Sequence, residues 1–225
     1  MQIVELTGQV ETHLASLNEK HKAHKAVITP FLSLQEAANK AGFNLQIASG
    51  FRSFERQRMI WNNKYSGSTP LLDKDESIIT NESMTDEQKL FTILHWSALP
   101  GASRHHWGTD FDIYDPDLLP KDTKLQLVNN EYQVGGCFFE LSQWLSQNMK
   151  KFGFYRPYHH YQGGVAAEPW HISYQPVADE CLQQLTLTCI HDLIIENNIL
   201  GKSLICKHLP MIYKQYICNI NCNGK

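Results

Sequence analysis

Two short segments hold side chains of the kind that do chemistry. The first runs Ser103-Arg104-His105-His106-Trp107-Gly108-Thr109-Asp110-Phe111-Asp112, and the second is Glu168-Pro169-Trp170-His171. Two imidazoles and one carboxylate make a catalytic zinc set, because three protein ligands leave the fourth position to water. Borderline-soft Zn²⁺ suits nitrogen and oxygen donors and lowers the pKa of a coordinated water to about 7. A free carboxylate beside that water can take its proton during attack on a carbonyl and pass it to a leaving amine. Glu168, three residues before His171, is the natural candidate. The helical histidine-glutamate motif of many metalloproteases is absent, and Pro169 would spoil it. The ligands are therefore expected from loops and strand ends. On an extended segment Asp110 and Asp112 share one face, so either carboxylate could be the ligand.

The elements that must carry these residues follow from periodicity and capping. The segment TDFDIYD reads as a strand, as does AAEPWHISY, where Pro169 argues against helix. Leu45 and Ile47 alternate with their neighbours in a third, NLQIASG. Thr29-Pro30 is expected to cap and open a helix over FLSLQEAANKAGF that Gly42 ends. A turn at residues 49–53 leads into the helix FERQRMIWNNK, and residues 65–84 read as a long, acidic surface loop. The Thr85…Gln88 spacing of a capping box starts QKLFTILHWSAL. FFELSQWLSQNMKKFGF sets Phe139, Leu141, Trp144, Leu145 and Met149 on one helical face. Val177, Cys181, Leu185, Cys189 and Leu193 recur every four residues, which predicts one long amphipathic helix. Gly201 breaks it, and further helix follows, interrupted near Pro210.

The chain has 225 residues and a formal charge of -3, with 42% apolar and 19% charged residues. That composition excludes general disorder and argues against nucleic-acid or membrane partners. It fits a single domain over 1–225, with a core over 30–175 that holds both segments and a helical C-terminal extension over 177–225. The N-terminus lacks a basic segment followed by an apolar one, and no stretch reaches a membrane span's length, so the chain is expected to be cytoplasmic. Five of the six cysteines lie after residue 180 and are expected to be small buried hydrophobes in a reducing cytosol. Cys218-x3-Cys222 has the spacing of a metal or redox pair, but no second pair completes a zinc site.

The two segments resemble the D-alanyl-D-alanine carboxypeptidase and dipeptidase zinc metallopeptidases (VanY-like), whose motifs read S-x-H-x-x-G-x-A-x-D and E-x-x-H. Ser103, His105, Gly108 and Asp112 match the first motif, and Glu168 and His171 the second. An upstream element, S-G-[YF]-R-S followed by Gln, appears as Ser49-Gly50-Phe51-Arg52-Ser53 with Gln57 beyond. The resemblance covers roughly residues 30–175. It implies an α+β fold of the Hedgehog/DD-peptidase type, a small, largely antiparallel sheet with helices mainly on one side. It implies one zinc ion on His105, Asp112 and His171, with Glu168 as general base and acid. Arg52 would hold the substrate carboxylate or the developing oxyanion, and Ser103 and Gln57 would line the peptide site. Asp110 departs from the pattern, which expects a small apolar residue. It is a candidate acceptor for a ligand histidine or an adjacent guanidinium.

The activity implied is removal of a terminal D-alanine from a small peptide or muropeptide. D-alanyl-D-alanine ends and tetrapeptides ending in meso-diaminopimelate-D-alanine (LD-carboxypeptidase activity) are both open. The same motifs serve L-alanyl-D-glutamate endopeptidases and D-alanyl-D-alanine dipeptidases. A non-catalytic zinc-binding module is the reading from another class, and the free Glu168 argues against it. Residues 65–84, lying between motifs, are a candidate lid. His13, His21, His24, His95, His191 and His208 read as ordinary core or surface residues. His106 is expected to point away from the site, while His159 and His160 are candidates for substrate contact.

Overall fold

A computed structural model describes residues 1–80 and 84–221 of the chain. A short helix α1 (Ile3–Leu6) precedes a hairpin of β1 (Leu14–Ser16) and β2 (Lys22–His24). A 3-10 turn leads into α2 (Ile28–Lys40), then β3 (Gln46–Ser49) and α3 (Phe54–Ser66). A second hairpin, β4 (Leu71–Leu72) with β5 (Ile78–Ile79), is followed by α4 (Asp86–Trp96). A 3-10 turn over Arg104–Trp107 delivers β6 (Asp110–Tyr114), and α5 (Asn129–Tyr132), α6 (Phe139–Asn148) and β7 (Phe154–Tyr155) follow. Last come β8 (His171–Tyr174), α7 (Gln175–Gln184), α8 (Leu187–Glu196) and α9 (Lys202–Ile212).

The three expected strands, the last of them in chain order only over His171–Tyr174, pair with β7, which was not expected, into one antiparallel sheet of order β3-β6-β8-β7. Its two faces differ because successive side chains point oppositely. Phe111 and Ile113 of β6, Ile172 of β8 and Ile47 of β3 join Phe31 and Leu34 of α2 and Leu141 and Leu145 of α6 in a buried cluster. Burying each of these side chains is worth roughly 1.5–3 kcal/mol. That gain sets the register, since a slip of one residue would turn Asp110 and Asp112 into the apolar layer. The fold is thus the expected mixed one, with a small antiparallel sheet and an apolar face covered by α2 and α6.

A second cluster lies beyond the polar face. Leu6, Phe54, Trp61, Leu90, Ile93, Leu94 and Trp107 pack there with Cys181, Ile190, Ile194, Ile205 and Leu209. The helices after residue 176 therefore share a core with α3 and α4, and Trp61 Nε1 donates to Leu200 O at 3.0 Å across it.

Four local expectations change. The helix α2 begins ahead of Pro30, continuing from the 3-10 turn Lys25–Val27, so Thr29 is not its cap. Residues 65–84 are not loop throughout, because α3 runs on to Ser66 before Gly67 ends it and the β4–β5 hairpin follows. The four-residue repeat of 177–193 is two helices: Leu185 is extended, and Thr186 Oγ1 accepts from Cys189 N to cap the second. Pro210 lies inside α9, and a π turn over Tyr213–Ile217 follows. Cys181 is buried and Cys137, Cys189, Cys206 and Cys218 are half-buried, all as free thiols. The pair Cys218-x3-Cys222 extends outside the described residues. No helix among the described residues is long and apolar enough to cross a membrane.

Candidate active site

Pairing of β3, β6 and β8 assembles the site, because Ser49 lies opposite Asp112 and Asp112 opposite His171. His105 arrives from the 3-10 turn Arg104–Trp107, which Gly108 closes in the left-handed conformation at φ +67°. A Cβ on Gly108 would stand 2.7 Å from the backbone N of His24, so the motif glycine is required twice over. Glu168 N donates to Tyr158 O at 2.8 Å, and His171 N donates to Glu168 O at 3.1 Å, which folds the second motif into a tight turn.

The resulting trio is buried. His105 Nε2 is 3.4 Å from Asp112 Oδ2, and His171 Nδ1 is 3.3 Å from Asp112 Oδ1 and 3.3 Å from Glu168 Oε2. Ligand atoms from His105, Asp112 and His171 all lie within 4.8 Å of one another. Donors bound at 2.0–2.1 Å to a tetrahedral zinc stand about 3.3–3.4 Å apart, so the two closest edges match.

The ring nitrogens facing away from this centre are each held by an acceptor. His105 Nδ1 is 2.8 Å from Gly50 O, and His171 Nε2 is 2.9 Å from Asp110 Oδ1. A carbonyl and a carboxylate can only accept, so those nitrogens carry protons and the inward nitrogens are the ones that can present lone pairs to a metal. Two carboxylates crowd that centre, and a cation among them offsets their repulsion. The donor set therefore fits a divalent metal.

His171 also separates the two aspartates of β6. Asp112 meets its Nδ1 and Asp110 its Nε2, although both side chains leave the same face. Asp110 is fully buried and accepts from Arg104 Nε at 2.7 Å, Thr109 Oγ1 at 2.6 Å and Ser173 Oγ at 3.0 Å. Arg104 in turn donates to Tyr155 Oη at 3.0 Å and lies over the Trp107 ring. Burial opposes charge on Asp110, but Arg104 and His171 outweigh it and hold its pKa well below the carboxylate range. Asp112 is likewise lowered against burial, by His105 and His171. His171 is raised well above its ordinary value because three carboxylates overcome its burial, whereas burial takes His105 down to about 4. Glu168 moves the other way: burial raises its pKa against the pull of His171.

Arg52 stands on the rim of this centre. Its backbone N–H donates to His105 O at 3.1 Å, and its guanidinium donates to Gln57 Oε1 at 2.8 Å and Ser49 Oγ at 3.1 Å. Gln57 is fully buried, donates to Ala98 O at 2.7 Å and supports Arg52 from behind, off the wall of the cavity. Ser103 borders the cavity of about 260 Å³ that holds Arg52, His105, Asp112, Glu168 and His171. A larger cavity of about 810 Å³, between the β4–β5 hairpin and α4, shares only Leu72 with it and holds no such trio. His106 is turned away, its Nδ1 donating to Arg52 O at 2.6 Å and its Nε2 accepting from Gly101 N at 3.1 Å. His159 and His160 are exposed and stand off the cavity wall.

Sequence reasoning missed Lys64 and Trp96 on the wall, and Tyr158 stands on it too. Tyr158 packs its ring 5.1 Å from that of His171. No local signal marks Lys64, which sits among polar residues at the end of α3.

The family described as D-alanyl-D-alanine carboxypeptidase, VanY, matches residues 20–177. A Haemophilus influenzae protein described only as uncharacterized is 46% identical over 121 residues, 53% of this chain and 92% of that one. The D-alanyl-D-alanine carboxypeptidase of Enterococcus faecalis is 28% identical over 151 residues, 65% of this chain and 46% of its own length. The chain thus spans about half of that named relative. Among solved structures, VanYB in complex with D-alanine-D-alanine superposes with TM-score 0.54 at 23% identity, covering 84% of this chain and 92% of that one. The LdcB LD-carboxypeptidase superposes with TM-score 0.53 at 20% identity, covering 92% and 80%. These two likenesses are of fold.

Proposed function

The chain belongs to the D-alanyl-D-alanine carboxypeptidase family, and we propose that it is a zinc-dependent carboxypeptidase removing a terminal D-alanine from peptidoglycan-derived peptides. The observation that carries this reading is the buried trio of His105, Asp112 and His171 with Glu168 held against it. His105 Nε2, an Asp112 oxygen and His171 Nδ1 would hold the ion. Zinc there supplies a Lewis acid that polarises the scissile carbonyl and acidifies water.

Glu168 carries the proton. Its carboxylate takes one from the attacking water as the new C–O bond forms, and its raised pKa favours keeping that proton until the C–N bond breaks. The proton then goes to the amine of the departing D-alanine. Arg52 is braced by Gln57 and Ser49, so its guanidinium can meet the oxyanion without reorganising, which is where fixed charge contributes most. Ser103 contacts the peptide, Gln57 acts through Arg52, and Asp110 with Arg104 keeps the His171 ring in place.

Mass spectrometry of defined tri-, tetra- and pentapeptide muropeptides, with and without a chelator, tests the reading. Loss of one D-alanine from the tetrapeptide or pentapeptide, stopped by the chelator, is the expected result. Glu168→Gln abolishes turnover while zinc content stays at that of the wild type. Cleavage between L-alanine and D-glutamate, or of free D-alanyl-D-alanine alone, moves the chain to the endopeptidase or dipeptidase reading. Zinc-loaded protein that cleaves none of them is a binding module.

A further inference from the structure

A carboxypeptidase meets two negative charges on one substrate. The terminal carboxylate is there from the start, and the oxyanion develops during attack. Three bonds (C–N, N–Cα and Cα–C) separate the two carbon atoms, which puts them about 4 Å apart. Arg52 braced for the oxyanion is not free to centre on the carboxylate as well.

A second cation stands on the same wall. Lys64, in the last turn of α3, borders the cavity that holds Arg52, Glu168, Asp112 and His105. Ten residues of helix from the start of α3 rise about 15 Å. Helical side chains lean toward the N-terminus, however, so the four-carbon stem of Lys64 runs back toward the Arg52 end. Its ammonium donates to Ser97 Oγ at 2.6 Å, and Ser97 is the extended residue that ends α4. The two cations thus rest on separate supports, Arg52 on Ser49 and Gln57, Lys64 on Ser97. Burial and then the neighbouring Arg52 lower the Lys64 pKa, while the charge of Glu168 opposes them.

We propose that Lys64, supported by Ser97, receives the terminal carboxylate of the peptide, and that this contact makes the site an exopeptidase one. The assignment rests on the carboxypeptidase reading above. Lysine suits the task, since a compact ammonium on a flexible stem can follow a small carboxylate as the residue carrying it is released. A carboxylate bound to a largely buried ammonium loses most of its binding contribution when the ammonium is removed.

The test compares Lys64→Met and Lys64→Arg with the wild type, all zinc-loaded, on the stem peptide the wild type accepts and on its C-terminal carboxamide. Lys64→Met is expected to raise KM for the free acid roughly 30-fold or more, with a smaller change in kcat. Lys64→Arg restores much of that loss. The wild type handles the carboxamide poorly, and Lys64→Met makes it no worse. Calorimetric binding of D-alanyl-D-alanine to the Glu168→Gln protein weakens in parallel when Lys64→Met is added. Equal losses on acid and amide would show that Lys64 serves only to balance Glu168, and a free-acid kcat/KM within twofold of wild type would show no role; either overturns the assignment. A wild type that hydrolyses no peptide overturns the functional reading itself, and the assignment with it.

Discussion

Asparagine at position 110 removes one charge from a carboxylate that takes four donors. Arg104 Nε and His171 Nε2 meet one oxygen at 2.7 and 2.9 Å, and Thr109 Oγ1 and Ser173 Oγ meet the other at 2.6 and 3.0 Å. The amide keeps a carbonyl for the first pair, and the two hydroxyls can turn to accept from its NH₂. Two losses of different kind remain. A neutral acceptor makes the His171 ring less basic at Nδ1, and loss of such a partner lowers metal affinity about 10–100-fold, or about 1.4–2.7 kcal/mol. Arg104, almost fully buried, is left without its anion, and breaking a buried pair on one side costs about 3–5 kcal/mol of stability. The two are separable. In Arg104→Met with Asp110→Leu the Arg104–Asp110 pair is removed whole, so metal-free stability recovers most of its loss, while His171 Nε2 still lacks an anionic acceptor. Zinc titration against a competing chelating dye reads the first effect, and urea unfolding of the metal-free protein reads the second. The expected pattern is weak zinc binding in both variants and low stability in Asp110→Asn alone. Zinc affinity within twofold of wild type in Asp110→Asn, or joint recovery in the double variant, would refute the reasoning.

Other outcomes follow from the same geometry. Burial depresses the His106 pKa to about 3, so between that value and about 6.5 the unfolded chain binds the extra proton and stability falls as pH falls. Metal-free His106→Gln should therefore lose about 2 kcal/mol less than wild type between pH 7 and pH 5, measured by urea unfolding at each pH. Gly108→Ala places a side chain at φ +67° against the His24 backbone and should cost at least about 2 kcal/mol, with zinc affinity falling as His105 shifts, both seen in thermal melts with and without zinc. Gln57→Leu should lower kcat/KM about tenfold or more by releasing Arg52 while leaving zinc affinity unchanged; a parallel fall in zinc affinity would place Gln57 with the metal centre instead.

Much of the framework was legible because its signals are local. The Thr85 cap and the glycine ending α2 act through bonds to residues a few positions away. The helical repeat over 177–193 misled because Leu185 fits the apolar spacing while its backbone is extended, and Thr186 restarts the helix with its own cap. Gln57 shows a different limit. Its distance from Arg52 along the chain is right for a shared site, but a buried amide braced on Ala98 O faces the guanidinium and not the cavity.

Residue type and short spacing determined the kind of chemistry open to this chain: two histidines and an aspartate to hold a metal, with a glutamate three residues from one of them. They also determined that Asp110 and Asp112 leave the same strand face. Only the tertiary structure sets those two apart, because each meets a different side of the His171 ring, and His171 is 61 positions from Asp110 along the chain. It alone brought Lys64 and Ser97 to the cavity, 33 positions apart on two helices. Such meetings are set by sheet register and by burial of the whole apolar face, energies summed over many residues that no short stretch of sequence contains.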